Sequence, residues 1–229
     1  MNNILNISQA ISEMSKRVKL GTLSNDHLET FKEIYKKNPD MFARKRNACI
    51  FMQGIPGSGK SYQANILRDI FTLTHNEVLI CSADDFWGPD YNFDIKNISK
   101  AHGYCFNKFA AFVDNTHAAN PSLTKVVIID NTNIKKADIK IYATYINRFN
   151  FKAPNCRFSY NYYMAHSRSV WWRELYDRYL VRNHIADRIP NSILSKYYTR
   201  NIHNVPKDVI NSMINKWHNF DERDIKKLY

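Results

Sequence analysis

The chain has 229 residues and a formal net charge of +12, with 44% hydrophobic and 24% charged residues. That length suits one α/β domain with room for a helical extension, and the apolar content can build a full core, which excludes a disordered chain. No run of 18 apolar residues occurs, so no membrane-spanning helix and no membrane partner are expected.

The amino terminus, "MNNILNISQAISEMSKR", lacks the basic-then-apolar order of a signal peptide and reads as the first helix of the fold. "ILNISQAISEMSKRV" and "SNDHLETFKEIYKK" carry apolar residues at helical spacing, and the "LGTLSND" turn between them offers Ser24, Asn25 or Asp26 as a cap. Residues 1–45 are therefore expected to be a helical extension packed on the sheet edge, with the main domain over 46–229.

Ala48 to Gln53 is a short apolar run of strand length, and Lys60 to Phe71 places Tyr62, Ile66 and Ile70 on one helical face. "EVLICSA" reads as a second strand, followed by a polar-aromatic loop and a long segment from Ile95 to about Asn120. "KVVIID" is a third strand, apolar enough to be covered on both faces. A helix from Lys135 to about Phe149 and a fourth strand, "CRFSYNYYM", follow.

From Ser169 onward the pattern is helical and basic, with a lid region expected over about 169–217. Strands alternating with helices predict a parallel, doubly wound α/β sheet with helices on both faces. The four cysteines, Cys49, Cys81, Cys105 and Cys156, have neither metal-ligand nor disulfide-framework spacing. Buried reduced thiols in a cytoplasmic protein are the expectation.

The stretch "GIPGSGKS" carries the sharpest chemistry. Gly54 through Gly59, Lys60 and Ser61 have the spacing G-x-x-x-x-G-K-S, with a strand before and a helix after. Backbone N–H groups of such a loop turn inward, and the helix that follows adds its positive end, so a chain of phosphates fits there. Gly54, Gly57, Ser58, Gly59, Lys60, Ser61 and Tyr62 are the expected nucleotide contacts. Lys60 would reach the terminal phosphates, and the Ser61 hydroxyl would ligate Mg²⁺.

The second strand runs into "CSADDFW". Asp84 and Asp85 would emerge at its carboxyl end, the edge where open α/β sheets bind ligands. A kinase acting on an alcohol needs a carboxylate at the attacking hydroxyl, and Asp84 is the expected general base and a second metal ligand. The aspartates could instead cap the following loop.

The third strand ends in "IIDNTN". Asp130 could hold the metal's water shell, and Asn131, Thr132 and Asn133 could bond a phosphodiester or ribose. The same Asn-Thr-Asn is also good capping chemistry for the next helix. Phosphoryl transfer further calls for a cation from a covering segment. Arg173, Arg178, Arg182, Arg188 and Arg200 are available, most of them as ordinary solvated charges. "RNHIADRIPNSIL" and "RNIHNVPKDVI" echo one another at Arg182 and Arg200.

Basic residues outnumber acidic ones by 9 to 5 over residues 1–47 and by 14 to 7 over 150–229, against 10 to 9 between them. Basic flanks around a neutral phosphate-transfer centre suit a polyanionic partner such as DNA or RNA, or else a Lys-rich solvated surface.

Taken in order, "GIPGSGKS", "SADDF", "AHGY", "IIDNTN" and "RNIHNVPKDVINSM" resemble the 5′-hydroxyl polynucleotide kinases and their close P-loop relatives, over about residues 48–149 and 199–215. The resemblance implies transfer of the γ-phosphate of ATP to a 5′-hydroxyl end of DNA or RNA, with Asp84 as base. It implies Asp130, Thr132 and Asn133 near the reacting centre and an arginine over the phosphates, Arg200 or its competitor Arg182. Where phage members of that family carry substrate-holding arginines around the paired aspartates, this chain has Ala83, Phe86 and Trp87. Trp87, with Asp85, is then a candidate substrate contact, its ring available to stack on a base.

Three further readings stay open: a small-molecule kinase resembling the zeta-toxin group, a kinase for a hydroxyl on a modified base, and a non-catalytic ATP-dependent binding module. Oligomeric state is not legible from these residues.

Overall fold

The computed structural model describes residues 7–37, 47–74, 77–88, 94–118, 124–164 and 191–216. Helices α1 (Ile7–Lys19) and α2 (Asn25–Lys37) come first, then β1 (Asn47–Gln53) and α3 (Lys60–Thr74). β2 (Glu77–Cys81), α4 (Ile98–Ala118), β3 (Lys125–Ile129) and α5 (Lys136–Lys152) follow. β4 (Phe158–Met164), α6 (Asn191–Thr199) and α7 (Lys207–Asn215) complete the described chain.

The four strands form one parallel sheet in the order β2-β3-β1-β4. Every residue of β1 and β3 is buried, as expected of apolar runs at the centre of a sheet covered on both faces. Glu77 at the start of edge strand β2 is exposed. The Asn47 side chain aligns the strand starts: its Oδ1 accepts from Lys125 N–H at 2.8 Å and its Nδ2 donates to Cys156 O at 2.9 Å.

Alternation along the strands separates two cores. Cys49, Phe51, Val127 and Ile129 face α4 and α5, where Phe109, Tyr142 and Ile146 meet them. Ala48, Ile50, Met52, Val126 and Ile128 face the other way, against Ile66, Leu67 and Phe71 of α3. Full burial of each large apolar side chain contributes roughly 1.5–3 kcal/mol. This is the doubly covered P-loop NTPase-like α/β fold that the alternation of elements and the glycine loop between β1 and α3 together predict.

The N-terminal helices pack chiefly on α3 rather than on the sheet edge expected from the sequence. Ala10, Met14 and Phe31 join the α3 core, because the apolar stripes of α1 and α2 match the side of α3 that the sheet leaves uncovered. All four cysteines are buried and free. Burial raises the Cys49 and Cys105 thiols above their usual pKa and takes Cys81 up to about 12, so none of these three is a ready nucleophile. No helix among the described residues is long and apolar enough to cross a membrane.

Candidate functional site

The strand register sets the site. Cys81 and Phe51 both pair with Ile129, so Gly54, Ser82 and Asp130 leave the sheet along one edge. That edge is stitched together: Asp130 N–H donates to Cys81 O at 2.9 Å, Gly54 N–H to Thr132 O at 3.1 Å, and Ser82 Oγ to Asp130 O at 3.1 Å.

The loop from Gly54 to Gly59 connects β1 to the first turn of α3 as the motif requires. Gly57 has φ +77°, and a Cβ there would lie 2.1 Å from the carbonyl oxygen of Tyr197. Both the backbone angle and the close approach of α6 demand glycine. Lys60 Nζ donates across the loop to Ile55 O at 3.1 Å. Burial pulls its ammonium below the usual lysine pKa, while Asp130 and Asp84 act in the opposite sense.

Asp130 is buried at the end of β3, and burial raises its carboxyl pKa, opposed by Lys60 and by a hydrogen bond from Ser61. Its Oδ1 and the Ser58 hydroxyl are buried with no hydrogen-bond partner among the described residues. Unsatisfied oxygens in such a place have a cost, which a bound group would remove. The oxygens of Ser61 and Asp130 fit a hard divalent cation such as Mg²⁺, which takes few protein ligands and completes its shell with phosphates and water. No cluster of three His, Cys, Asp or Glu able to hold a metal occurs among the described residues.

Asp84 opens a short 3-10 turn, Asp84–Phe86, just past β2. It is close enough to Lys60 and Asp130 to influence both, and its side chain is 48% exposed. The structure thus brings Lys60, Ser61, Asp84 and Asp130 to one place. Asp85 turns instead to α4, where Lys108 Nζ bonds its Oδ2 at 2.7 Å and Ile80 O at 2.9 Å. Burial alone would lower the Lys108 pKa; the Asp85 carboxylate reverses that and raises it.

The Asn-Thr-Asn segment is spent largely on the framework. Asn131 Oδ1 accepts from Ala83 N–H at 2.9 Å, tying the β2 exit to the β3 exit. Asn133, at φ +44°, donates its amide to Met52 O at 2.7 Å. The capping role considered for these residues falls to another: Lys135 N–H bonds Asp138 Oδ2 at 3.0 Å. Thr132 is half-buried between the two asparagines. Tyr62 points its hydroxyl to Asp26 Oδ2 at 3.0 Å, joining α3 to α2. Trp87 is half-buried against the α4–α5 core.

Arg200 follows α6 and is exposed, while Arg182 lies outside the described residues. The segment carrying Arg200 is anchored on both sides of it. Tyr197 meets Gly57, and His203 Nε2 stands 3.6 Å from Asp84 Oδ2. Asn201 bonds both backbone groups of Val205, and Tyr197, Val205, Ile210 and Ile214 enclose Ile55 of the loop. Within the lid region expected over about 169–217, the approach of His203 to Asp84 and the seat of α6 against Gly57 were not foreseen. Their only trace is the aliphatic and histidine content of "RNIHNVPKDVI", which has no periodicity specific to either role.

The sheet order and the strand–loop–helix at its edge define a P-loop NTPase-like α/β protein. No protein-family model matches the chain. Over 173 residues, 75% of this chain, it is 25% identical to NEDD4-binding protein 2 of Homo sapiens, and it spans only 8% of that protein's length. Among solved structures, Kti12 of Chaetomium thermophilum, crystallised in complex with ADP-AlF3, is 18% identical with a TM-score of 0.30. That match covers 67% of this chain and 79% of Kti12.

Proposed function

We propose that the protein is an ATP-dependent kinase that transfers the γ-phosphate to a hydroxyl of a nucleic acid, a 5′-hydroxyl end of DNA or RNA in the first instance. The observation that carries this reading is an accessible carboxylate, Asp84, at the same edge as Lys60, Ser61 and the buried Asp130. A phosphate-binding loop alone serves hydrolysis or regulation as well; a poised base beside it serves an alcohol acceptor.

In this mechanism the loop N–H groups and Lys60 hold the β- and γ-phosphates. Asp84 takes the proton of the acceptor hydroxyl as its oxygen forms a bond to the γ-phosphorus. The bond from that phosphorus to the bridging oxygen breaks in line, and ADP leaves. Ser61 and Asp130 would hold Mg²⁺, which would supply charge neutralisation. Arg200, on the segment anchored at Gly57 and Asp84, is the candidate for charge on the transferred group.

A second reading, a small-molecule acceptor, is favoured by that same segment. Contact with Gly57 on one side and Asp84 on the other would close a compact pocket.

Incubation with γ-labelled ATP and a panel of 5′-hydroxyl DNA, 5′-hydroxyl RNA, nucleosides and sugar nucleotides separates these readings. Label on a polynucleotide end is expected. Label on free nucleosides or sugar nucleotides alone would establish the second reading, and ATP binding without transfer to any acceptor would overturn both.

A further inference from the structure

Next to Asp84 the chain leaves two large aromatic rings in solvent. Phe86, the last residue of the 3-10 turn, is 38% exposed, and Tyr104 on α4 is 46% exposed. Their ring centroids are 6.1 Å apart with planes at 61°. Trp87 stands edge-on to Phe86 at 5.4 Å and packs into the core beneath, so the outer pair rests on a fixed support.

Cations bracket the rings. Exposed Lys100 lies one helical turn before Tyr104 on α4, and Lys108, held by Asp85, lies one turn after it. Apolar rings of this size are normally covered, and Trp87 shows that the same segment can bury one. Exposed aromatics interleaved with lysines suit a nucleobase, whose π-face stacks on a ring while its phosphates meet the cations. They suit a phosphate or a bare sugar poorly, since neither offers a flat apolar face.

We propose that Phe86 and Tyr104 form the platform on which the terminal nucleobase of the acceptor strand stacks, presenting the adjoining 5′-hydroxyl to Asp84. The proposal deepens the reading of the protein as a kinase of nucleic-acid ends and rests on it. It moves the stacking role from Trp87, which the sequence nominates, to its two exposed neighbours.

The test uses a 5′-hydroxyl DNA oligonucleotide with 2-aminopurine as its first base, a probe whose fluorescence is quenched by stacking. Saturating the probe with the unaltered protein should quench it. Phe86→Ala and Tyr104→Ala should each weaken binding about five- to a hundredfold and abolish the quench, while Phe86→Tyr and Tyr104→Phe should retain both. In steady-state transfer the alanine variants should raise KM for the strand far more than they lower kcat. An acceptor with an abasic first position should make the unaltered protein and the variants alike. Unchanged affinity and quench in the alanine variants, or no quench with the unaltered protein, would overturn the platform. Quenched binding with no label transfer would uphold the platform and sink the kinase reading, so the two can fail separately.

Discussion

Asp84 and Asp85 are chemically identical neighbours with different surroundings. Asp85 is held by Lys108 at 2.7 Å, whereas Asp84 stands 3.6 Å from His203 and acts electrostatically on Lys60 and Asp130. Asp84→Asn should therefore cut kcat by roughly two to four orders of magnitude while ATP still raises the melting temperature. Asp85→Asn should lose a half-exposed ion pair worth under about 1 kcal/mol, with a modest fall in Tm and a much smaller loss of kcat. Comparing kcat and Tm for the pair tests the assignment.

Asp130 should behave in the opposite way on stability. Its folded-state pKa is raised, so the native state holds its proton more tightly than the unfolded chain does. Relative stability is fully present below the ordinary carboxylate pKa and is lost as pH rises through the raised one. Asp130→Asn should raise the Tm of the ligand-free protein near neutral pH, by about 2–4 °C for each 1 kcal/mol recovered. The gap should close as pH falls into the carboxylate range. The same variant should lose most of the stabilisation by Mg²⁺ and ATP, seen in parallel thermal scans.

At the scale of elements, α6 is what separates the loop glycines. Gly57 and Gly59 both have positive φ, +77° and +90°, but only Gly57 lies under the Tyr197 carbonyl; the space around Gly59 is open. Gly59→Ala should destabilise the fold through backbone strain alone, by about 1–2 kcal/mol, read as a lower Tm. Gly57→Ala should cost clearly more and expose the α6–α7 pair to protease, checked by limited proteolysis alongside thermal denaturation.

Central strands, the loop and its helix were legible because each carries a local signal: continuous apolar runs in β1 and β3, and a fixed motif between β1 and α3. The partition of the framework residues was not legible. Asn131 and Asn133 bind the backbone of other strands, and that pairing depends on register, which a local pattern does not contain. The seat of α1 and α2 on α3 was hidden for a similar reason: an amphipathic stripe declares that it will be covered, not by what.

Across the whole molecule, charge is near neutral over residues 48–149 and basic in the flanks on either side. If a strand tracks those flanks, log affinity for a 5′-hydroxyl oligonucleotide should fall linearly with log salt, with a slope of about −0.7 for each phosphate engaged by single-stranded nucleic acid. ATP affinity at fixed Mg²⁺ should change much less over the same range. A flat salt response for the oligonucleotide would assign the flanking charge to solubility. One contact reaches further than its size. Ile55 belongs to the phosphate loop and is also enclosed by Tyr197, Val205, Ile210 and Ile214. The C-terminal helices thus share a buried cluster with that loop, and any coupling between the two would run both ways. Any nucleotide that alters the loop's shape must alter the hold on α6 and α7 by the same factor, and releasing those helices must be felt as lost nucleotide affinity.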